Sequence, residues 1–132
     1  MFYKTALATS VLLLSSGIAH ADTTYRIGIT QNNVGVDSYQ TTYERAFVAA
    51  AEANGSVDIV VLDAGGDVAR QIGQMQDLVQ QRMDAIIIWP TDGQAVIPAI
   101  RQANNAGIPV VVTNSRIADA GMDFIAAFSV PR

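Results

Sequence analysis

Short apolar runs alternate with amphipathic stretches along the chain. Residues 25–30, 56–63, 85–89 and 108–114 are rich in Val and Ile, and such runs are typical of strands. The stretches between them repeat apolar residues every three or four positions, which is the period of a helix. Strands that alternate with helices predict an α/β fold: a doubly wound parallel sheet of order 2-1-3-4-5 with helices on both faces. A fifth strand is expected within residues 122–129.

The first two helices have boundary signals in the sequence. Asp37 or Ser38 can cap the first helix, and Gly55 stands where a left-handed residue ends it. Asp67 can cap the second helix. Each helix is expected to turn one apolar face inward. The residues of these faces are Tyr39, Tyr43, Ala46, Phe47, Ala50 and Ala53 in the first helix, and Val68, Ile72, Met75, Val79 and Met83 in the second.

The third strand and the third helix carry more particular expectations. Residues 85–89, AIIIW, do not alternate between apolar and polar, so this strand should be buried on both faces. Thr91, followed by Gln94 three residues later, predicts a capping box at the start of the third helix. Pro98 should then leave a kink or a frayed first turn in that helix. The inward residues of the helix are expected to be Val96, Ala99, Ile100 and Ala103.

The first 21 residues have the pattern of a secretory signal peptide. Lys4 precedes an apolar run over residues 6–14, and the small residues Ala19 and Ala21 flank a cleavage site. The apolar run is shorter than the roughly 20 residues that span a bilayer. We therefore expect cleavage after Ala21, export to the periplasm, and a mature domain over residues 22–132.

Composition excludes several kinds of chemistry. The net charge is −4, so neither nucleic acid nor an anionic membrane is an expected partner. Lys4 and His20 are the only Lys and His, both within the predicted signal, and there is no Cys. A Ser-His-Asp triad, a Cys nucleophile, a Schiff-base Lys and an ordinary zinc site are therefore unavailable to the mature chain. Nucleotide-binding glycine motifs are also missing, so no cofactor or metal is expected.

Polar and aromatic residues follow the strands at the edge where parallel α/β sheets bind ligands. Trp89 ends the third strand, and it is either the last core residue or a stacking surface for a ligand. Asn114, Ser115 and Arg116 follow the fourth strand and have no evident structural role, which favours a site there. Planar amides, carboxylates, a guanidinium and aromatic rings together suit a carbohydrate.

Three blocks, RIGIT, DAIIIWPTDG and AGIPVVVTNSR, together with the signal peptide, resemble the sugar-type periplasmic substrate-binding proteins of ABC importers. The ribose- and galactose-binding class is the nearest, and the resemblance runs from about residue 25 to residue 128. It implies a two-lobed, non-catalytic protein that holds a sugar or polyol between its lobes. It also implies a membrane permease as partner, and a chemoreceptor as a further one.

The resemblance also implies where the solute is held. By position, the contacts of the first lobe fall on Asp37, Ser38 and Tyr39 after strand 1, and on Asn114 with Ser115 or Arg116 after strand 4. The frequent Asn-Pro-Phe-Phe of the family is Val-Asp-Ser-Tyr here, and its Asp-Arg pair is Asn-Ser-Arg. Since such proteins are more than twice as long, residues 22–132 are expected to be an N-terminal lobe that is cut short.

An enzymatic alternative remains open from the residues alone. A carbohydrate-active hydrolase needs two carboxyl groups across a cleft. Asp63 and Asp92 leave separate strand ends and could form such a pair.

Overall fold

Five parallel strands form one sheet of order β2-β1-β3-β4-β5. The computed structural model describes residues 24–115, 117 and 125–127. The predicted signal peptide and Arg116 lie outside these residues. The elements are β1 (Tyr25–Gln31), α1 (Ser38–Asn54), β2 (Val57–Asp63), α2 (Val68–Gln80), β3 (Ala85–Trp89), α3 (Ile97–Asn105), β4 (Val110–Thr113) and β5 (Ile125–Ala127). The predicted fold class and strand order are confirmed.

The hydrophobic core lies between the sheet and the pair α2 and α3. Met75 and Leu78 of α2 and Ile100 of α3 are fully buried against Ile86 and Ile88 of β3. Helix α2 approaches β1 so closely that a Cβ atom on Gly28 would lie 2.5 Å from a methyl carbon of Leu78. A side chain at this point of β1 would force Leu78 or the helix to shift, so the glycine lets α2 pack closely on the sheet.

The opposite face of the sheet is covered less completely. In the described part of the chain only α1 packs on it, and an apolar groove of about 220 Å³ runs beside that helix. Ile27, Ile59 and Ile87 line the groove from the sheet and Phe47 lines it from α1. Burial of β3 alternates along the strand, with Ile87 only half-buried. The expectation that β3 is buried on both faces was therefore wrong, because α1 alone does not cover this side.

The ends of the first two helices follow the sequence signals. The Asp37 carboxylate accepts a hydrogen bond from the backbone N–H of Gln40, and that of Asp67 accepts from the N–H of Arg70. Gly55 ends α1 with a φ of 71°. The predicted inward face of α1 was partly wrong. Tyr39, Ala46, Ala50 and Ala53 are exposed, and the alanine that is buried is Ala51.

The start of the third helix differs from the prediction. Helix α3 begins at Ile97, and Pro98 stands in its first turn, where no backbone N–H is needed. The predicted capping box of Thr91 and Gln94 does not form. Instead the Asp92 carboxylate accepts from the N–H groups of Gln94 and Ala95 and closes a turn before the helix. The four residues predicted to face inward, Val96, Ala99, Ile100 and Ala103, are buried.

Within the described ranges, no helix combines the length and the apolar character that a membrane span requires.

Candidate ligand-binding site at the carboxyl edge of the sheet

Two tyrosines of α1 reach across the sheet edge to the end of β4. The Tyr39 hydroxyl donates to Oδ1 of Asn114 at 2.7 Å, and the Tyr43 hydroxyl forms a hydrogen bond with Oγ1 of Thr113. They stand four residues apart on one face of α1, so both hydroxyls point to the same strand. These contacts hold the beginning of α1 against the end of β4.

Trp89, the last residue of β3, packs against both tyrosines. Its ring centroid is 5.8 Å from that of Tyr39 and 5.4 Å from that of Tyr43, both in edge-to-face geometry. Tyr43 also packs edge-to-face on Phe47 at 4.8 Å. Trp89 is half-buried, so it belongs to an aromatic cluster and still presents part of its surface at the edge. The two interpretations that the sequence left open are both compatible with this position.

Burial raises the pKa of the Tyr43 hydroxyl above its usual value, and the hydrogen bond with Thr113 partly opposes that rise. Tyr43 is therefore a neutral hydroxyl at physiological pH. A neutral hydroxyl can both donate and accept a hydrogen bond, as a sugar hydroxyl does.

Several buried polar atoms at this edge have no hydrogen-bond partner among the described residues. In the described part of the chain, every side-chain atom of this kind belongs to a residue at a strand end or in the adjoining first turn of α1. They are both amide atoms of Gln31, Oε1 of Gln40, Oγ1 of Thr91 and Nδ2 of Asn114. Folded proteins satisfy most buried polar groups, and leaving one unpaired costs about 1–3 kcal/mol. Their concentration at one edge marks a candidate site that could exchange hydrogen bonds with a ligand or water, the amide nitrogens as donors and the oxygens as acceptors.

Asn114 has a local role that the sequence did not reveal. Its backbone is left-handed, with a φ of 57°, a conformation that Asn tolerates better than most residues. This turn aims the side-chain oxygen at Tyr39 and leaves Nδ2 without a partner.

The carboxylates at this edge are engaged with backbone N–H groups. Asp37 caps α1, and Asp63 accepts from the N–H of Val34 and of Gly65. The hydrogen bonds from the N–H of Ala95 and then of Gln94 lower the pKa of Asp92. Asp92 therefore stays ionised at neutral pH, which is the opposite of what a general acid needs.

Two glutamine side chains of α2 form hydrogen bonds with backbone groups at and just after the carboxyl ends of the strands. The Gln71 amide donates to the carbonyl of Trp89 at 2.9 Å and accepts from the N–H of Thr91 at 2.7 Å. The Gln74 amide donates to the carbonyl of Asp63 at 2.8 Å. Neither glutamine was predicted from the sequence. A usable signal was present, because Gln71 and Gln74 are uncharged polar residues three positions apart beside the apolar face of α2.

The structure brings most of the predicted site residues to one edge. Tyr39, Trp89 and Asn114 are close together, and Ser115 follows Asn114, half-buried. Asp37 and Ser38 begin α1 at the same edge and are exposed. Sequence reasoning did not select Gln31 or Gln40 as site residues, and it assigned Tyr43 to the core and Thr91 to a helix cap. In the described residues, no group of three or more His, Cys, Asp or Glu side chains could hold a metal ion.

A family model for the periplasmic binding protein domain matches residues 27–130. This chain belongs to that family. Among curated relatives, the D-xylose-binding periplasmic protein of Haemophilus influenzae is 30% identical over 130 residues, which are 97% of this chain and 38% of the relative. The ribose import binding protein of Bacillus subtilis is 41% identical over 63 residues, 48% of this chain and 20% of the relative. The domain thus spans less than two fifths of the length of these relatives.

Solved structures of solute-binding proteins share the fold. An ABC transporter solute-binding protein from Bacillus halodurans, with bound myo-inositol, is 27% identical with a TM-score of 0.69, covering 82% of this chain and 37% of that one. A periplasmic solute-binding protein from Actinobacillus succinogenes, with bound D-allose, has a TM-score of 0.72 at 24% identity, covering 77% of this chain and 37% of that one. Because its identity is below 25%, the similarity to the Actinobacillus succinogenes protein is evidence for the fold alone.

Proposed function

We propose that this chain forms one wall of a cleft that binds a neutral sugar or polyol, within a non-catalytic solute-binding protein of an ABC importer. The observation that carries the proposal is the set of unpaired amide and hydroxyl atoms beside the aromatic cluster at the carboxyl edge. Amides and hydroxyls match the donor and acceptor groups of a polyol, and aromatic rings cover its C–H surface. Relatives named for D-xylose and ribose, and a neighbour with bound myo-inositol, support the same class of solute.

The charges at the edge favour a neutral solute and a role without catalysis. Asp37, Asp63 and Asp92 each accept backbone hydrogen bonds, so their carboxylates are committed to turns and a helix start. A hydrolase would need one carboxyl group that is protonated near neutral pH, and the lowered pKa of Asp92 works against that role. The hydrolase alternative gains no support from these contacts or from the relatives.

Several parts of the proposal concern residues or partners outside the described structure. Arg116, which follows β4 in the sequence, would contact the solute together with Asn114 and Ser115. The leader of residues 1–21 would direct the chain to the periplasm and be cleaved after Ala21. A second lobe would supply the opposite wall, and the complete protein would deliver its solute to a membrane permease and be read by a chemoreceptor.

The test is a titration of the full-length protein with D-xylose, D-ribose, D-allose and myo-inositol. Binding is monitored by calorimetry and by tryptophan fluorescence emission. We expect at least one of them to bind and to change an emission component that Trp89→Phe removes. Asn114→Ala should weaken binding by about tenfold, the effect of 1.4 kcal/mol, whereas Asn105→Ala, on an exposed residue at the end of α3, should not. If neither Trp89→Phe nor Asn114→Ala changes the affinity, the solute binds elsewhere. If the protein converts the sugar to a product, the hydrolase alternative is favoured.

A further inference from the structure

The Gln71 side chain connects the two residues on either side of Pro90. It is fully buried, and its amide bonds to the carbonyl of Trp89 and to the N–H of Thr91 at the same time. An amide can do this because it carries a donor and an acceptor on one planar group.

Pro90 explains why such a bridge is needed. Proline has no backbone N–H, so β3 cannot continue its ladder through this residue. The strand accordingly ends at Trp89, and a turn begins at once. The Trp89 carbonyl and the Thr91 N–H lie at this end of the strand, and the Gln71 amide supplies a hydrogen-bond partner to each of them.

The neighbouring polar contacts extend the support to three strands. The Thr30 hydroxyl, at the end of β1, donates to Oε1 of Gln74 at 2.7 Å, and Gln74 in turn donates to the Asp63 carbonyl at the end of β2. The Gln71 amide also lies 3.5 Å from the Thr30 hydroxyl. One turn of α2 therefore holds the carboxyl ends of β2, β1 and β3.

We infer that Gln71 is a positioning residue of the solute site: by bridging Pro90 it fixes Trp89 and Thr91 in the geometry that meets the solute. The inference rests on the proposed function for its effect on binding. Its effect on Trp89 itself is independent of any solute. Gln71 is fully buried in the same helix as the apolar core residues Met75 and Leu78, where burial of a polar side chain is unfavourable unless it is hydrogen-bonded. The polar side chain is explained by its partners, which all belong to strand ends or to the turn after β3.

The test compares Gln71→Glu with Gln71→Leu in the 132-residue chain, in which Trp89 is the only tryptophan. A protonated Glu reproduces the bridge, because its O–H can donate to the Trp89 carbonyl while its C=O accepts from Thr91. An ionised Glu is an acceptor only and faces the Trp89 carbonyl with a negative charge. Burial should keep the Glu protonated to a higher pH than an exposed Glu. Gln76→Glu is the matched control, since it makes the same change on an exposed position of α2.

We expect the near-ultraviolet circular dichroism and emission of Trp89 in Gln71→Glu to match wild type near pH 5 and to depart from it near pH 8. Gln71→Leu should depart at both pH values, and Gln76→Glu at neither. Asp63, Asp67, Arg70 and Asp92 are the charged groups at the adjoining strand ends and at the start of α2. The wild-type chain carries the same charged groups. The spectral change of wild type between pH 5 and pH 8 therefore measures their effect and is subtracted from that of each variant. A Trp89 spectrum that is the same in wild type, Gln71→Glu and Gln71→Leu at both pH values would overturn the inference.

Binding of D-xylose by the full-length variants separates this inference from the proposed function. Gln71→Leu should weaken binding by about tenfold, equivalent to 1.4 kcal/mol, and Gln71→Glu should recover wild-type affinity toward pH 5. If the spectra follow the expected pattern while neither wild type nor any variant binds D-xylose, D-ribose, D-allose or myo-inositol, the proposed function fails and the positioning of Trp89 stands. Wild-type affinity in Gln71→Leu at every pH would contradict the role of Gln71 in the site.

Discussion

The Tyr39 hydroxyl donates a hydrogen bond of 2.7 Å to Oδ1 of Asn114, a residue 75 positions later in the chain. This bond occupies the acceptor end of the Asn114 amide and leaves its donor end, Nδ2, without a partner. The Asn114 amide is thereby held in one orientation, in which the buried Nδ2 is the end that has no partner among the described residues. A residue of α1 thus determines which hydrogen bonds a residue after β4 can offer to a solute.

Removal of the Tyr39 hydroxyl should weaken sugar binding without unfolding the domain. In Tyr39→Phe the Asn114 amide is free to rotate, and we expect affinity to fall by about threefold to tenfold, the range for a lost hydrogen bond of about 1 kcal/mol. The melting temperature should change little, because Tyr39 is 42% exposed. Calorimetric titration and thermal unfolding measure the two effects. Tyr25→Phe, on another exposed tyrosine, is the control, and equal affinity in both variants would contradict the role given to Tyr39.

Asp37 is expected to stabilise α1 through its cap. Asp37→Ala removes the acceptor for the Gln40 N–H and should lower the free energy of unfolding by about 1 kcal/mol, whereas Asp37→Asn should retain the cap. Chemical denaturation measures this difference. The same pair of variants tests the predicted solute contact of Asp37, because a loss of affinity in Asp37→Asn at unchanged stability would require a direct role for its charge. Equal stability of Asp37→Ala and wild type would refute the cap.

Tyr43 should make stability depend on alkaline pH. Because burial raises the pKa of Tyr43 in the folded state, the unfolded chain loses this proton first as the pH rises through about 10. The contribution of the neutral hydroxyl is therefore fully present below that pH and is lost as the pH rises toward and through the folded-state value. Urea denaturation from pH 8 to pH 11 should show the advantage of wild type over Tyr43→Phe shrinking at the alkaline end. A difference that stays constant across this range would contradict the prediction.

A side chain at Gly28 is expected to destabilise the domain. A Cβ atom there would lie 2.5 and 2.8 Å from the two methyl carbons of Leu78, so Gly28→Ala should cost about 1–3 kcal/mol of stability. Leu78→Ala alone leaves a cavity and should cost about 2–5 kcal/mol. The double variant should lose less than the sum, because each change relieves the other. Gly73→Ala, a helical position with no atom near the added carbon, should not destabilise the fold, and additive costs at Gly28 and Leu78 would refute the close contact.

The elements that the sequence predicted well have local causes. The strands and their order follow from apolar runs joined by helices, and the Asp67 cap depends on an acceptor three residues before Arg70. The start of α3 could not be predicted in the same way. Thr91 and Asp92 are both suitable cap residues. Asp92 accepts the backbone hydrogen bonds of a turn, and the helix begins only at Ile97, with Pro98 in its first turn.

The geometry of the candidate site depends on side-chain contacts that cannot be predicted from the spacing of residues in the sequence. Trp89 and Asn114 could be placed at the right edge, because the carboxyl ends of parallel strands meet there. The partner of Asn114 and the bridge from Gln71 to Trp89 depend on strand register and on how α1 and α2 lie against the sheet. Burial of β3 was overestimated for a similar reason, because a run such as AIIIW does not reveal how many helices cover each face.

The uneven covering of the sheet has a consequence for the order in which the domain opens. Helix α1 buries one apolar side chain, Ala51, whereas α2 buries Met75 and Leu78 against the core. Backbone amides of α1 should therefore exchange with deuterium through local opening, well before those of β3 or β4. Because Tyr39 and Tyr43 belong to α1, each such opening would also detach one side of the aromatic cluster while the sheet stays formed. A solute that contacts this cluster should slow exchange in α1 more than in any other described helix.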